Sequence, residues 1–185
     1  IQLSLFLEKM DLGGLQYKMQ QVIGKGSFGV VRLCKHLRSN KTYVSKTVDV
    51  SGMTESEIES AKAEIALLKK LDNPFIVKYI EAFYDKATGL NIVMAYCGGG
   101  DLSDRIKEAK SIGTPFTEER ILDWFVQIAV AMQYCHVRGI IHRDVKAQNV
   151  FLTSKGDCRL GDFGIAHKMS NEGDLGKTVI GTPLT

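Results

Sequence analysis

The chain changes character at one short run of glycines, Gly98 to Gly100. Before this run, short segments rich in β-branched and aromatic residues surround one helical stretch, which indicates a sheet with a single helix. After it, residues 101–138 show a mostly helical pattern, and residues 140–185 a short, loop-rich one. A sheet followed by helices predicts an α+β protein in two lobes, with a cleft at the joint that suits a ligand.

The predicted elements have plain start and stop signals. The first helix, about Glu55 to Leu71, opens on a capping box formed by Thr54 and Glu57. A longer helix opens at Thr117 and ends at Gly139. The predicted strands cover residues 17–23, 30–36, 42–48, 77–84 and 90–95. The apolar residues of the longer helix recur at helical spacing and predict one face of a buried helix: Ile121, Phe125, Ile128, Met132 and Cys135.

Composition excludes several classes of protein. The chain has 24 Lys plus Arg and 21 Asp plus Glu, and the net charge of +3 is too small to imply a nucleic-acid or membrane partner. Its apolar runs are shorter than the roughly 18 residues of a membrane span, and its start lacks the pattern of a signal peptide. Cys34, Cys97, Cys135 and Cys158 form no C-x-x-C pair. We therefore expect an intracellular protein with reduced thiols, and the cytoplasm is the expected compartment.

Residues Gly24 to Gly29 read G-x-G-x-x-G, a pattern that lets backbone amides approach a phosphate. An ordinary hairpin turn is one interpretation and a dinucleotide-binding unit another, since Asp49 lies 20 residues after Gly29, where a ribose-binding acid is expected. That unit needs a helix directly after the glycines, whereas Val30 to Cys34 is rich in β-branched residues. The pattern favours a strand, a glycine loop and a second strand, an arrangement that resembles a β-hairpin folded over nucleotide phosphates.

Two charged residues interrupt apolar patterns. Glu64 borders the apolar face of the first helix, three residues after Ala61 and four before Leu68. Lys46 lies in a strand of otherwise apolar and small residues. Taken alone, Glu64 can be interpreted as an exposed glutamate at the edge of the apolar face, and Lys46 as an ordinary lysine on an edge strand. A buried carboxylate needs a partner, and Lys46 is the candidate.

The most specific segment is His142 to Asn149, which reads H-R-D-V-K-A-Q-N and is followed by Asp162-Phe163-Gly164. These motifs, after the glycine loop and Lys46, resemble the protein kinase family in order and spacing. The resemblance extends over residues 17–185 and implies a bilobal kinase fold. The implied parts are residues 1–16 as an N-terminal extension, 17–95 as the small lobe, 96–100 as hinge and linker, and 101–185 as an incomplete helical lobe.

The resemblance implies a role for each charged residue of these motifs. Asp144 would be the catalytic base that orients the acceptor hydroxyl, while Asn149 and Asp162 would hold Mg²⁺. Lys46 and Glu64 would hold the α and β phosphates of ATP. Phosphoryl transfer needs positioned charges and little covalent chemistry, which agrees with this set. The implied cofactors are ATP and Mg²⁺.

Other residues indicate substrate and regulation by the same resemblance. Lys146 is similar to the lysine by which serine/threonine kinases contact the γ-phosphate, so the implied substrates are protein serine and threonine hydroxyls. Arg143 resembles the arginine of kinases that are switched on by loop phosphorylation. Thr178 is then the predicted phosphosite, modified by an activating kinase or by the protein itself. Thr182 resembles the threonine that contacts Asp144.

Adenine needs an apolar slot, and the family's positions fall on residues that would otherwise be core residues. Ile23, Val31 and Val44 would lie above the ring and Phe151 below it, with Met94 as gatekeeper. The full set of implied nucleotide-binding residues is Ile23, Gly24, Gly26, Gly29, Val31, Val44, Lys46, Met94, Ala95, Cys97 and Phe151.

Within the superfamily, residues 92–102, 149–152 and 160–166 most resemble the NIMA-related serine/threonine kinases. Two residues depart from the pattern. Ala95 stands where the family has an acidic hinge residue, and Ser45 stands where an aliphatic residue precedes the strand lysine. Neither departure removes a catalytic group.

The resemblance stops at Gly181 to Thr185, just before the family's A-P-E segment. We therefore expect a fragment of a larger kinase, in which the helix around Phe125 and Met132 lacks packing partners and the isolated chain is poorly soluble and inactive. The alternative is a non-catalytic module that binds a nucleotide or a partner and transfers no phosphate. A dinucleotide-dependent oxidoreductase is disfavoured.

Overall fold

The computed structural model describes residues 16–26, 29–163 and 167–168. They form two compact units. The first takes in the described residues up to Lys70 together with Lys78–Tyr96, and the second takes in Leu71–Val77 and the described residues from Cys97 onward. The predicted division assigned residues 71–77 to the small lobe. The structure groups them with the second unit, because Ile76 forms a parallel β-bridge with Leu160.

The first unit is a five-stranded antiparallel sheet with one helix, and its strand order is β1-β2-β3-β5-β4. The strands are β1 (Tyr17–Gly26), β2 (Gly29–His36), β3 (Thr42–Val48), β4 (Tyr79–Asp85) and β5 (Gly89–Ala95), and the helix is α1 (Glu55–Leu68). The predicted capping box is present, since Thr54 Oγ1 accepts the Glu57 N–H and the Thr54 N–H donates to Glu57 Oε2. The helix ends three residues before the predicted Leu71.

The glycine motif forms a hairpin. Strand β1 runs to Gly26, β2 begins at Gly29, and the two glycines are paired across the strands. A strand therefore follows the glycines, as predicted, and this arrangement does not fit a dinucleotide-binding unit.

One face of the sheet packs into a small core. Tyr17, Cys34, Phe83 and Val93 are buried there, and the rings of Tyr17 and Phe83 stack at 5.9 Å between centroids. The Tyr17 hydroxyl also donates a hydrogen bond to the Glu81 carboxylate. This packing covers one face of the sheet, and Lys46 and its neighbours lie on the opposite face.

The second unit combines two helices with short strands. Its elements are α2 (Leu102–Ser111), α3 (Glu118–His136), β6 (Ile140–Ile141), β7 (Val150–Leu152), β8 (Cys158–Leu160) and β9 (His167–Lys168), with a 3₁₀ turn at Ala147–Asn149. Strand β6 pairs with β9, and β7 pairs with β8. Thr117 caps α3 as predicted, and Gly139 follows the helix with a positive φ of 68°. None of the helices in the described ranges is both long enough and apolar enough to cross a membrane.

The predicted buried face of α3 is only partly right. Cys135 is buried, whereas Ile121 and Phe125 are 51% and 67% exposed. Two hydrogen bonds set the orientation instead: Trp124 Nε1 donates to the Gly156 carbonyl, and the Gln127 side chain accepts the Cys158 N–H. The helix α3 is apolar around most of its circumference, so the spacing of its apolar residues does not determine which face is buried. The two hydrogen bonds turn the face with Trp124 and Gln127 toward the β7–β8 hairpin.

The glycine run after β5 is hydrogen bonded. The Gly99 N–H donates to the Leu152 carbonyl and the Leu152 N–H donates to the Gly100 carbonyl, each at 2.8 Å. A Cβ on Gly99 would lie 2.6 Å from the Thr153 carbonyl oxygen, so the close approach requires glycine. Within the predicted hinge and linker, Gly99 and Gly100 are thus paired with the edge of β7.

Candidate active site

An ion pair joins the two charged residues of the first unit. Lys46 Nζ on β3 lies 3.3 Å from Glu64 Oε1 on α1. The two side chains are 14% and 20% exposed, so both charges are largely removed from water. A buried carboxylate is tolerated because a cation compensates it. The structure therefore brings together the two residues that the sequence analysis paired.

Most of the predicted nucleotide-binding residues of the first unit share one side of the sheet, whereas Ala95 is paired with Tyr43 on the opposite side. Gly24 is paired with Val31, Val31 with Lys46, and Val44 with Met94. Directly paired residues in antiparallel strands present their side chains on the same face, so this row extends across four strands. Ile23 lies at an irregularity between Val22 and Gly24 and is 47% exposed. The row is an apolar surface with one cation, Lys46, in its middle.

Gly29 has a steric role in this hairpin. Its φ is +137°, and a Cβ at this position would lie 2.0 Å from the Thr47 carbonyl oxygen. Neither the backbone angle nor the space accepts a side chain. Glycine thus brings β2 against β3 next to Lys46.

In the second unit, two polar side chains, those of Asn149 and Lys146, meet at the Asp144 carboxylate. The Asn149 amide nitrogen donates to Asp144 Oδ2 and to the Asp144 carbonyl, both at 2.8 Å. Lys146 Nζ lies 2.9 Å from the same carboxylate oxygen. Charge-assisted hydrogen bonds of this length are the stronger kind, and they hold the carboxylate in one orientation. With 13% exposure, the Asp144 side chain is fixed and nearly buried.

His142 supports the backbone on both sides of Asp144. Its ring is fully buried; Nε2 lies 2.8 Å from the Gly161 carbonyl, and Nδ1 accepts the Asp144 N–H at 3.3 Å. These two bonds select the neutral ring with the proton on Nε2. Burial lowers the pKa of His142 below its ordinary 6.5, although the Gly161 carbonyl acts in the opposite direction. The ring also packs against Phe163, with centroids 4.6 Å apart.

Two residues with unusual backbone angles lie at this site. Arg143 and Asp162 have φ values of +68° and +56°, in the region that residues with a side chain seldom adopt. Each adjoins a residue whose position is fixed by hydrogen bonds, namely His142 or Gly161. Such strain persists where the surroundings determine the conformation, and it is typical of functional sites.

Asn149 and Asp162 fit a magnesium site by their chemistry. The Asn149 amide nitrogen is used by Asp144, so the amide oxygen is the atom that can ligate a cation. The Gly161 N–H donates to the Asn149 carbonyl at 2.9 Å, which brings Asp162 next to this residue. The Asp162 side chain is exposed. Amide and carboxylate oxygens are ligands that Mg²⁺ prefers.

Gly161 is a residue that the sequence analysis did not single out. A Cβ at this position would lie 2.8 Å from the Phe151 ring and 2.9 Å from a Val77 methyl group. The absence of a side chain at Gly161 therefore allows the Phe151 ring to take its observed position. Phe151 is the predicted floor of the adenine slot. The only hint in the sequence was a glycine between a strand end and Asp162. The steric need for glycine comes from Phe151 and Val77, which are distant in sequence.

The remaining predicted residues occupy plain structural positions. The Ala95 N–H donates to the Lys78 carbonyl at 2.9 Å, and Cys97 has a half-buried thiol whose pKa is raised by burial. Thr178 and Thr182 lie outside the described residues.

Comparisons with known proteins identify the family of this chain. A family model described as "Protein kinase domain" matches residues 17–184. The chain is 45% identical to the serine/threonine-protein kinase Nek1 of Mus musculus over 168 residues, which cover 91% of this chain and 14% of that protein. It is 44% identical to Nek3 of Oryza sativa subsp. japonica over 168 residues, covering 91% and 28%. It is 43% identical to Nek5 of Homo sapiens over 169 residues, covering 91% and 23%.

The chain thus spans between 14% and 28% of the length of these three curated relatives. The match nevertheless includes every described residue that the sequence analysis assigned to a site, from Ile23 to Asp162. The predicted α+β fold of a kinase and its likeness to the NIMA-related kinases are confirmed. This chain belongs to the protein kinase domain family, and its relatives within that family are serine/threonine kinases of the Nek type.

Proposed function

We propose that this protein is a serine/threonine protein kinase, which transfers the γ-phosphate of Mg-ATP to hydroxyl groups of protein substrates. The observation that carries the proposal is the fixed carboxylate of Asp144, held by Asn149 and Lys146 at 2.8 and 2.9 Å. Phosphoryl transfer depends on positioning and on electrostatic stabilisation, and a carboxylate fixed in this way supplies the first.

Asp144 acts on the acceptor. Its carboxylate accepts the proton of a serine or threonine hydroxyl, and the hydroxyl oxygen forms a bond to the γ-phosphorus while the bond from that phosphorus to the bridging oxygen of ADP breaks. Lys146, with its side chain 32% exposed, can also approach the transferred group. Its charge offsets the negative charge that develops there.

Other residues act on the nucleotide. Lys46, oriented by Glu64 at 3.3 Å, binds the α and β phosphates, and Asn149 with Asp162 would hold Mg²⁺. When bound, Mg²⁺ neutralises the triphosphate and orients its oxygens. The Gly24–Gly29 hairpin offers backbone amides to the phosphates, and the apolar row that includes Val31, Val44 and Met94 receives the adenine.

The test is a transfer assay with radiolabelled ATP and casein, in which the protein is assayed at the length that its source cells produce, alongside Asp144→Asn. Asp123→Asn is the matched control, because Asp123 is an exposed carboxylate on α3 that lies 3.9 Å from Arg120. We expect Asp144→Asn to lower kcat by at least about a hundredfold, with nucleotide affinity kept and the control unchanged.

Equal transfer by the parent and Asp144→Asn would contradict the proposed role of this carboxylate. A parent chain that binds Mg-ATP and transfers no phosphate would contradict the catalytic proposal and support a non-catalytic nucleotide-binding module. Titration of ATP, monitored by fluorescence or calorimetry, separates these outcomes.

Regulation at Thr178 is part of the proposal. The support is the sequence resemblance and the presence of Arg143, a half-buried cation directly before Asp144. A phosphate on Thr178 would accept charge-assisted hydrogen bonds from that arginine. The effect of Thr178→Ala on the activity of the full chain, compared with Ser170→Ala, tests this: loss of activity in the first variant alone is expected, and full activity would contradict it.

The proposed location is the interior of the cell. All four cysteines are free thiols, and Cys34, Cys135 and Cys158 are buried without forming disulfides. Free thiols are typical of proteins from reducing compartments. Fractionation of source cells followed by immunoblotting tests the location, and recovery of the protein from the extracellular medium alone would contradict it.

A further inference from the structure

A buried polar cluster lies on the face of the sheet opposite Lys46. It consists of Ser45, Thr47 and Asn91, whose exposures are 0%, 7% and 0%. Buried polar side chains are costly unless they are hydrogen bonded. Elsewhere on this face the buried residues are mainly apolar, as at Phe83 and Val93. The cluster thus needs an explanation beyond packing.

Asn91 uses its full hydrogen-bonding capacity. Its Oδ1 accepts the Ser45 hydroxyl at 3.2 Å and the Thr47 hydroxyl at 2.8 Å. Its Nδ2 donates to Thr88 Oγ1 and to the Gly89 carbonyl, each at 3.0 Å. A side-chain amide has two donors and two acceptor sites, so all four are satisfied. The amide therefore ties β3 to β5 and to the turn before β5.

The cluster brackets Lys46 in sequence. Ser45 and Thr47 are its two neighbours on β3, and strand alternation turns both hydroxyls away from the face that carries Lys46. On β5, Asn91 adjoins Ile92, the residue paired with Lys46. Asn91 thus holds the backbone of β3 on both sides of the lysine.

The apolar pattern of β3 alone only weakly fixes the position of Lys46 along the strand. A slip of β3 by one residue would expose its buried face, whereas a slip by two residues would preserve the alternation and move Lys46 about 7 Å along the strand. Hydroxyl groups at Ser45 and Thr47 that share one acceptor oppose both slips, because either one leaves buried polar groups without partners. Lys46 must stay in place to meet Glu64 at 3.3 Å.

We propose that Asn91 is a positioning residue, which through the hydroxyls of Ser45 and Thr47 holds strand β3 so that Lys46 meets Glu64. The relevance of this device to ATP rests on the proposed function, in which Lys46 binds phosphates. The device itself is a property of the folded sheet. Polar networks of this kind contribute positional specificity, while an apolar cluster of the same volume contributes equal or greater stability.

The decisive variant replaces the cluster by apolar residues of similar size, Ser45→Ala with Thr47→Val and Asn91→Leu. It removes all three polar side chains together, so that none of the three is left buried without a partner. The matched control is Thr47→Ser, which retains the hydroxyl that donates to Asn91. If the triple variant does not fold, the pair Thr47→Val and Thr47→Ser makes the same comparison.

The readout without nucleotide is the rate at which acetic acid N-hydroxysuccinimide ester acetylates Lys46 in the full chain, followed by peptide mass spectrometry. Lys62 is the internal reference, because it pairs with Glu59 on α1 at 2.6 Å and lies outside the cluster. In the triple variant we expect the acetylation rate of Lys46 to rise about fivefold relative to that of Lys62. This factor corresponds to the free energy of one ordinary hydrogen bond. The midpoint of unfolding should stay the same. Thr47→Ser should match the parent.

An unchanged Lys46 rate in a folded triple variant would overturn the proposal and leave the cluster a stabilising element. The KM for ATP, with kcat measured in parallel, provides a second readout, and we expect KM to rise by about the same fivefold factor. A parent chain that neither binds ATP nor transfers phosphate would contradict the proposed function alone, because the acetylation comparison still decides the positioning role.

Discussion

Asn149 fixes Asp144 through a single amide nitrogen, which donates to the carboxylate Oδ2 and to the backbone carbonyl of the same residue, each at 2.8 Å. The side chain of Asp144 is therefore held relative to its own backbone. Because the nitrogen is used in this way, the orientation of the amide is defined and its oxygen faces elsewhere. One residue thus combines the positioning of the proposed base with a ligand for the proposed cation.

The first prediction concerns this pair. Asn149→Ala should lower kcat by at least about a hundredfold and raise the Mg²⁺ concentration needed for activity, since both the amide donor and the amide oxygen are lost. It should also lower the free energy of unfolding by about 1–3 kcal/mol. Gln148→Ala, at an exposed neighbour in the same 3₁₀ turn, is the control. Steady-state kinetics at several Mg²⁺ concentrations provide the measurement, and parent-like kinetics of Asn149→Ala would disprove the dual role.

The second prediction concerns Gly161. Gly161→Ala would place a Cβ 2.8 Å from the Phe151 ring and 2.9 Å from Val77, so one of these side chains must shift. We expect a loss of about 1–3 kcal/mol in the free energy of unfolding, as for overpacked cores, together with weaker ATP binding. Gly52→Ala is the control, since nothing lies within 4 Å of its added Cβ. Denaturant titration and calorimetry test both effects, and equal behaviour of the two variants would refute the steric argument.

The third prediction concerns the hydrogen bonds that orient α3. Gln127→Ala leaves the buried N–H of Cys158 without its partner at 2.6 Å, so the free energy of unfolding should fall by about 1–3 kcal/mol. Gln133→Ala is the control on the exposed side of the same helix. Urea unfolding of both variants supplies the comparison. An equally small effect in both would mean that the contact does not stabilise the hairpin.

Local signals in the sequence were sufficient for most elements of the fold. The capping box of Thr54 and Glu57, the Thr117 cap and the β-branched run after Gly29 each act within a few residues, and the structure has the predicted element at each. The pairing of Lys46 with Glu64 was also accessible. It required one cation and one carboxylate that each interrupted an apolar pattern.

What the sequence did not reveal depends on contacts between distant residues. The orientation of α3 follows from Trp124 and Gln127, whose partners lie 32 and 31 residues away. The need for glycine at position 161 follows from Phe151 and Val77, and the role of Asn91 follows from two hydroxyls on another strand. Such contacts leave no periodic trace in the sequence, so they could not be predicted from its pattern.

The last prediction concerns the dependence of stability on pH. The pKa of His142 is lowered in the folded chain, chiefly because the ring is buried, while the unfolded chain has the ordinary value of 6.5. Above pH 6.5 the ring is neutral in both states, so its contribution to stability is fully present. Below pH 6.5 the unfolded chain binds the proton first, and stability is lost as the pH falls toward and through the lowered folded value.

His142→Phe removes this titration and retains a ring beside Phe163. The variant should be less stable than the parent at pH 7.5, because the Gly161 carbonyl and the Asp144 N–H lose their partner. The difference should shrink at lower pH, by up to about 1.4 kcal/mol per pH unit below 6.5, since only the parent must exclude a proton from the buried ring. Guanidinium unfolding of both chains from pH 7.5 to 5.5 measures this. Groups common to the two chains cancel, so a difference that stays constant over this range would show that burial does not disfavour the charged ring.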